Sequence, residues 1–481
     1  MTKKDFPRIH FYDQDFVDIY DKTWAWISDF WEKSSENRTI GGKFFSYPGA
    51  SEVRQEDAIY SSFFLVYSNR IFPANTTLDI FYSKQEANGA IRWAYNLATG
   101  DPEYTPENPE GVGPPLFAWA EFNLYHKAAN KKRIKEILPI IDRYTTWIDE
   151  NFKAENGLYR APAAASGMFN APRENAAYPI DFNCMMAVNA LYFSKLSEIL
   201  NDKDTSSRYK RQYFSLKTRI ESMMWDAEDG FYYDLDADGQ RIKTQTLAGY
   251  WPLLTEIPNY DKAERIIAKL QDPNYFGTQH PFPSVAVHEQ AFRENGEGYL
   301  GSVFPHLNFI VIKGLERYQQ WALARECAVR HLYFILDSMN PEGSRQRGSL
   351  IEAYLPTKEG PAAAPQTPLP ASYGGIFPRR QYLTYDALST VCLMVENIVG
   401  LFISLPRKTV DWNIPNLEIM GIENLALKKN LITILSGKSA RGWEIHMESE
   451  KLYYFTINIL GGKRKTLPIP SGKCSMQIDK L

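Results

Sequence analysis

Long apolar runs are missing from this chain. No stretch of about 18 apolar residues occurs in its 481 residues, so no segment reads as a membrane-spanning helix, and no membrane partner is expected. The N-terminus, MTKKDFPRIHFYDQDF, has basic residues but no apolar core behind them, which a secretory signal requires. The expectation is a cytoplasmic protein as the sequence stands, or a periplasmic or secreted one if a signal has been trimmed. Cysteine is scarce: Cys184, Cys327, Cys392 and Cys474 show no CxxC spacing, and three lie inside apolar helical patterns. They read as buried thiols, not as a disulfide frame or a zinc site. Seven histidines include His280, His288 and His306, yet none shows HExxH spacing, so no metal and no cofactor is expected. An excess of one charge is absent too. The 54 basic and 57 acidic residues are interspersed for a net charge of −3, without a basic run long enough to follow a phosphate backbone, and nucleic acid is excluded as a partner.

What the chain has in quantity is aromatic side chains: 11 Trp, 29 Tyr and 27 Phe. Most such rings serve a core, while rings with a polar tip also suit the faces of sugars. Residues 14–34, QDFVDIYDKTWAWISDFWEKS, repeat apolar residues at spacings of three and four, which predicts a helix. The pattern returns at 57–69, 75–85, 115–129, 131–152, 180–200, 205–225, 243–254, 260–270, 301–319, 321–338 and 384–401. Short turns alternate with long loops such as 86–114, 154–179, 272–300 and 340–382, an order that fits concentric helix pairs with elaborated loops at one end. One strand-like interruption, DAEDGFYYDLDADGQ around Gly230, reads as a short hairpin, so a parallel α/β fold is disfavoured.

Beyond about residue 405 the period changes to two. Leu431, Thr433 and Leu435 alternate with Ile432, Ile434 and Ser436, a second run covers Tyr453 to Leu460, and turns are expected at Ser436-Gly437 and Gly461-Gly462. The division expected is a helical domain over 1–405 and a small β module over 406–481. The loop 355–382, rich in Pro, Ala and Gly, reads as a functional lid or an excursion.

Six segments, in order, carry a resemblance: GPPLFAWAEF (113–122), SGMFNAPR (166–173), MMWDAEDGFYYD (223–234), QHPFPSVAV (279–287), GYLGSVFPHLNFIVIKGLERY (298–318) and GSLIEAYLPTKEG (348–360). Over residues 50–401 the chain resembles the trehalase-like glycosidases, nearest to glycoside hydrolase family 63 with its mannosylglycerate and glucosylglycerate hydrolases. The resemblance implies an all-α (α/α)6 toroid of the six-hairpin glycosidase type with a sugar pocket at the mouth, here followed by the β module. It also implies inverting hydrolysis of an α-glycosidic bond, with a protonated acid and a water-activating carboxylate roughly 6.5–9.5 Å apart. The family's base segment, GxIxENYNPxTG, matches Gly348 to Pro356 and makes Glu352 the general base. Its donor segment, ESGMDNSPR, matches Ala165 to Arg173 with Phe169 where the family keeps its proton-donating Asp.

Phenylalanine has no proton to give. Two further departures agree: Tyr60-Ser61-Ser62-Phe63-Phe64 stands where the family reads Trp-Asp-Ser-Phe-Phe, and Tyr299-Leu300-Gly301-Ser302 where it reads Tyr-Trp-Arg-Gly-Pro. A replacement acid is therefore expected, with Asp57 and Glu174 as candidates and Glu289 and Glu297 behind them. Matching segments make Gln85, Arg92, Trp93, Phe169, Asn170, Arg173, His280, Tyr299 and Tyr354 substrate-contact candidates, while Asp181 reads as a cap. The leading expectation is hydrolysis of an oligosaccharide or small glycoside. The alternatives are a non-catalytic carbohydrate-binding protein on the same toroid, and a polysaccharide lyase.

Overall fold

Apolar spacing along the chain becomes twelve helices in the computed structural model, which describes residues 6–33, 39–47, 49–339, 348–369, 375–414, 419–428, 430–439, 442–459 and 465–478. They are α1 (Gln14–Lys33), α2 (Gln55–Leu65), α3 (Thr76–Ser83), α4 (Phe117–Ala128), α5 (Lys131–Phe152), α6 (Ile180–Leu200), α7 (Lys203–Arg219), α8 (Trp251–Leu254), α9 (Tyr260–Gln271), α10 (Pro305–Arg317), α11 (Trp321–Met339) and α12 (Leu383–Ala387). The last runs on as a π-helix to Ile398. In α1 the expected stripe turns inward as Phe16, Ile19, Tyr20, Trp24, Ile27 and Trp31, all buried. Among the described residues no helix is long and apolar enough to cross a membrane.

The helices divide into two kinds, and composition explains the division. Ten of the eleven residues of α2 are buried, whereas only Ser206, Tyr209, Tyr213 and Leu216 are buried in the longer α7. A helix apolar on all sides needs neighbours on all sides. Accordingly α2 packs on α4, α4 on α6, α6 on α8, α8 on α10, α10 on α12 and α12 back on α2, which closes a circuit. The one-sided helices lie against it: α3 on α2, α5 on α4 and α6, α7 on α6, and α11 on α10. Helices α5, α7 and α9, the last also buried on one side only, start at a polar cap, with Asn130, Asp202 and Asn259 each accepting from a backbone N–H three residues on.

From Leu401 onward the described elements are strands, and they build two sheets. Strand β1 (Arg8–His10) joins β8 (Met420–Leu427), β9 (Asn430–Ser439), β10 (Gly442–Ser449) and β13 (Gly472–Ile478) in one antiparallel sheet. The other runs β12 (Lys465–Ile469), β11 (Tyr453–Ile459), β7 (Thr409–Ile414) and β6 (Leu401–Ser404), with β11 and β7 parallel. In β9 the buried face is Ile432, Ile434 and Ser436, with Ile434 opposite Met447 and Ile422, both fully buried. The expected turn at Ser436-Gly437 is corrected: β9 runs through it, and Gly437 pairs with Glu444. The turn expected at Gly461-Gly462 lies outside the described residues. Trp412 Nε1 donates to Val399 O at 2.7 Å and Leu405 N to His126 O at 2.6 Å, tying the second sheet to the helices.

Two short pairs complete the count. The expected hairpin at Gly230 is β4 (Trp225–Asp226) with β5 (Phe231–Tyr232). The pair β2 (Glu52–Arg54) and β3 (Ala94–Asn96) was not expected, since three residues carry no readable period.

Candidate active site

The inner helices set where a cavity can form. Arg54 and Glu56 stand at the start of α2, Gly113 and Pro114 just before α4, Pro162, Ala163 and the run Gly167 to Glu174 before α6, Leu300 before α10, and Tyr385 in the first turn of α12. All of them line one cavity of about 700 Å³, together with Trp93, Asn108, Arg293, Thr367 and Pro368. It therefore opens where the inner helices begin, between their long preceding loops.

The loop Ala163 to Arg173 forms one wall, which explains its small residues. Gly167 has φ +79°, a conformation that favours glycine, and a Cβ there would stand 3.0 Å from Glu56 Oε1, so the loop passes close against that carboxyl. Phe169 faces the cavity and is held edge-on by Tyr299 at 5.3 Å and Phe377 at 6.1 Å. Asn170 lines the cavity but braces two loops. Its Oδ1 accepts from Tyr299 N at 2.7 Å and its Nδ2 donates to Glu297 O at 2.6 Å. Arg173 also lines it, while its guanidinium is committed below: it donates to both oxygens of Asp181 and both of Asp234 at 2.7–2.8 Å. Asp181, read as a cap, is thus one member of an ion-paired triad with Arg173 and Asp234 that pins the loop to the start of α6. Trp93 presents its ring to the cavity with Nε1 donating to Glu103 O at 2.7 Å, and Glu174 lines it as an exposed carboxylate.

Glu352 is not on the cavity wall. It is fully buried, and it accepts from Arg379 through Nε at 2.9 Å, Nη2 at 2.5 Å and the backbone N–H at 3.1 Å. Arg379 is itself stacked on Tyr382, 3.6 Å from the ring centre. Nearby Asp386 is buried, and its carboxyl is pushed well above the usual range by burial and by the Glu352 charge.

Several expected contacts are corrected. Asp57 is a helix cap: its carboxylate accepts from Arg54 N at 3.0 Å and from Thr384 Oγ1, fully buried and off the cavity wall. Gln85 Nε2 donates to Gly89 O and Ile140 O and so holds a turn. Arg92 is paired through two nitrogens with Glu86 at 2.6 Å. His280 is buried with Nε2 2.7 Å from His331 Nδ1, and burial drives it well below its ordinary pKa. Tyr299 stacks on Phe304 at 4.0 Å, and Tyr354 donates to Asp386 Oδ1 at 3.3 Å. None of these side chains is on the cavity wall. Of the other altered positions, Leu300 is on the wall, and Ser61 turns its hydroxyl back to Ala58 O at 3.4 Å.

The residue that sequence reasoning missed is Glu56. It is half-buried on the wall, and its Oε2 accepts from Tyr385 Oη at 2.8 Å. Burial raises its carboxyl pKa, opposed by the Tyr385 hydrogen bond and by the charges of Arg54 and Arg379. The available signal was helical phase. Residues 56 and 57 point about 100° apart around a 3.6-residue turn, so when Asp57 caps α2 its neighbour must face elsewhere.

Comparisons with known proteins bear on the family and the fold. A family model of the trehalase C-terminal domain matches residues 400–481. Over its full length the chain is 50% identical to an uncharacterized protein of Borreliella burgdorferi (strain ATCC 35210 / DSM 4680 / CIP 102532 / B31), all of which it covers. Among solved structures it is similar to a sialidase, with TM-score 0.70 and 15% identity over 92% of this chain, although it spans only 40% of that protein. It is similar also to the GH63 mannosylglycerate hydrolase from Thermus thermophilus in complex with glucose, with TM-score 0.60 and 17% identity over 78% of this chain and 99% of that one. At such identities these two likenesses concern the fold alone. The family model of the mannosylglycerate hydrolase MGH1-like glycoside hydrolase domain matches residues 73–359, more than half of the sequence, and the chain belongs to that family.

Proposed function

We propose that this protein is a glycoside hydrolase that cleaves an α-glycosidic bond of an oligosaccharide or small glycoside with inversion. The observation that carries the reading is the cavity of about 700 Å³, which has the size of a small-ligand site and carboxyl groups in its wall, in a chain of this family. The closed circuit of α2, α4, α6, α8, α10 and α12 supports reading residues 1–405 as an (α/α)6 toroid, with 406–481 as an appended β module. In this reading Glu352 is the base that takes a proton from the attacking water. Arg379 holds both its oxygens, and Glu352 is buried off the cavity wall, so base action requires that Arg379 yield when substrate binds. The acid comes from elsewhere than Phe169.

A second reading is favoured by that same Arg379–Glu352 pair together with Phe169: a protein that binds sugar without cleaving it. The two separate on the Glu352→Gln variant. A hydrolase releases sugar from a panel of α-linked oligosaccharides in the wild type, while the variant retains binding in calorimetry and loses turnover. A wild type that binds members of the panel and cleaves none establishes the binding protein instead.

A further inference from the structure

A carboxyl from α2 stands against the loop 166–173, in which Phe169 occupies the place of the family's donor. Glu56 is the second residue of α2, and the Gly167 Cβ position stands 3.0 Å from its Oε1. Thus the cavity wall that carries Phe169 also carries this carboxyl, contributed by a different element. Its other oxygen accepts from Tyr385 Oη at 2.8 Å, which fixes the direction in which Oε1 is presented. Tyr385 is fixed in turn by stacking on His306 at 3.7 Å.

From this geometry we propose that Glu56 is the general acid of the reaction. The inference rests on the hydrolase reading. In the step, the bond between the anomeric carbon and the leaving oxygen breaks, its electron pair goes to that oxygen, and Glu56 transfers its proton there. Water adds to the anomeric carbon from the opposite face and gives its proton to Glu352. Glu56 is left as a carboxylate and regains a proton from solvent, and Glu352 returns its proton to solvent.

Electrostatics agree with the assignment. A general acid must be protonated when substrate arrives, and burial moves the Glu56 carboxyl in that direction. The groups that face it are Arg54 and Asp57 from the start of α2, Tyr60 one turn on, Arg379 from the loop before α12, and Tyr382 and Tyr385 at the beginning of α12. The two arginines and the Tyr385 hydrogen bond oppose the rise, and Asp57 adds to it. Glu174 shares the cavity but stands exposed, without the enclosure that raises Glu56.

The test uses leaving groups. Fluoride departs without a proton, whereas methanol requires one, so methyl α-glucoside and methyl α-mannoside are compared with the two α-glycosyl fluorides on wild type and Glu56→Gln. The variant is expected to lose about 100- to 10,000-fold in kcat/KM on the methyl glycosides and less than about tenfold on the fluorides. The alkaline limb of the pH profile should vanish with the methyl glycosides. Retained turnover of fluoride reports that the variant is folded. Equal loss on both classes, or loss on neither, overturns the assignment of Glu56 while leaving the hydrolase reading intact. A wild type that turns over neither class and releases no sugar from the panel of α-linked oligosaccharides overturns the hydrolase reading and this assignment with it.

Discussion

Replacing Arg173 with Met removes the cation from beneath the candidate site and leaves Asp181 and Asp234 facing each other without it. Their side chains are 1% and 6% exposed, so water cannot take over the role of the guanidinium. Arg173 supplies four charge-assisted hydrogen bonds to the pair, at 2.7–2.8 Å. The carboxylates cannot simply turn away, since Asp234 Oδ1 also accepts from Ile180 N at 2.8 Å and Asp181 Oδ1 from Phe182 N at 2.9 Å. Breaking a buried ion pair by deleting one partner costs about 3–5 kcal/mol, and with two stranded carboxylates the loss here should reach the upper part of that range. Urea unfolding followed by tryptophan fluorescence, with the slope checked for constancy, measures it. The triple variant Arg173→Met, Asp181→Asn, Asp234→Asn carries no stranded charge and should regain at least half of the loss. A single variant within about 1 kcal/mol of wild type, or a triple no more stable than the single, refutes the reasoning.

Two further perturbations probe the site. Gly167→Ala places a Cβ at φ +79° against Glu56 Oε1; it should destabilise by about 1–2 kcal/mol and weaken turnover, and a neutral effect in urea melts would mean the loop does not pass as described. His306 is lowered to about 3 by burial and by the Arg379 charge, so it stays neutral in the fold while the unfolded chain protonates below about pH 6.5. Its contribution is fully present above pH 6.5 and is lost as pH falls towards 3. The His306→Phe variant keeps a ring against Tyr385, and its stability should depend on pH less steeply by about 1.4 kcal/mol per unit between 6.5 and 4. Identical slopes for the two proteins in urea titrations across that range would contradict the buried, neutral assignment.

Much of the fold could be read from spacing, because helices that bury a stripe repeat it. Phe16, Ile19 and Tyr20 announce α1 directly, and the apolar Ile432 and Ile434 announce β9. What could not be read depends on distant partners. Strand β1 is only Arg8–His10, and it exists because Glu423, Ile422 and Gly421 lie beside it at the far end of the chain. The site shows the same contrast. Trp93, Phe169, Asn170, Arg173 and Glu174 line the cavity because they sit in the long loops that precede α4 and α6. Gln85, Arg92, His280, Tyr299 and Tyr354 lie in segments of the right kind but turn their polar atoms into the protein, a choice made by partners such as Glu86 and His331. At the start of α2 the sequence offers two adjacent carboxylates. Capping takes Asp57 inward and leaves Glu56 at the cavity, a distinction of helical phase that composition does not reveal.

The central claim is that this cavity inverts an α-glycosidic bond. Proton NMR of the first sugar released by the wild type from the panel of α-linked oligosaccharides tests it most directly. The account predicts that the β anomer appears first and that the α anomer grows in only by mutarotation. Release of the α anomer first, or no release from any member of the panel, would contradict it.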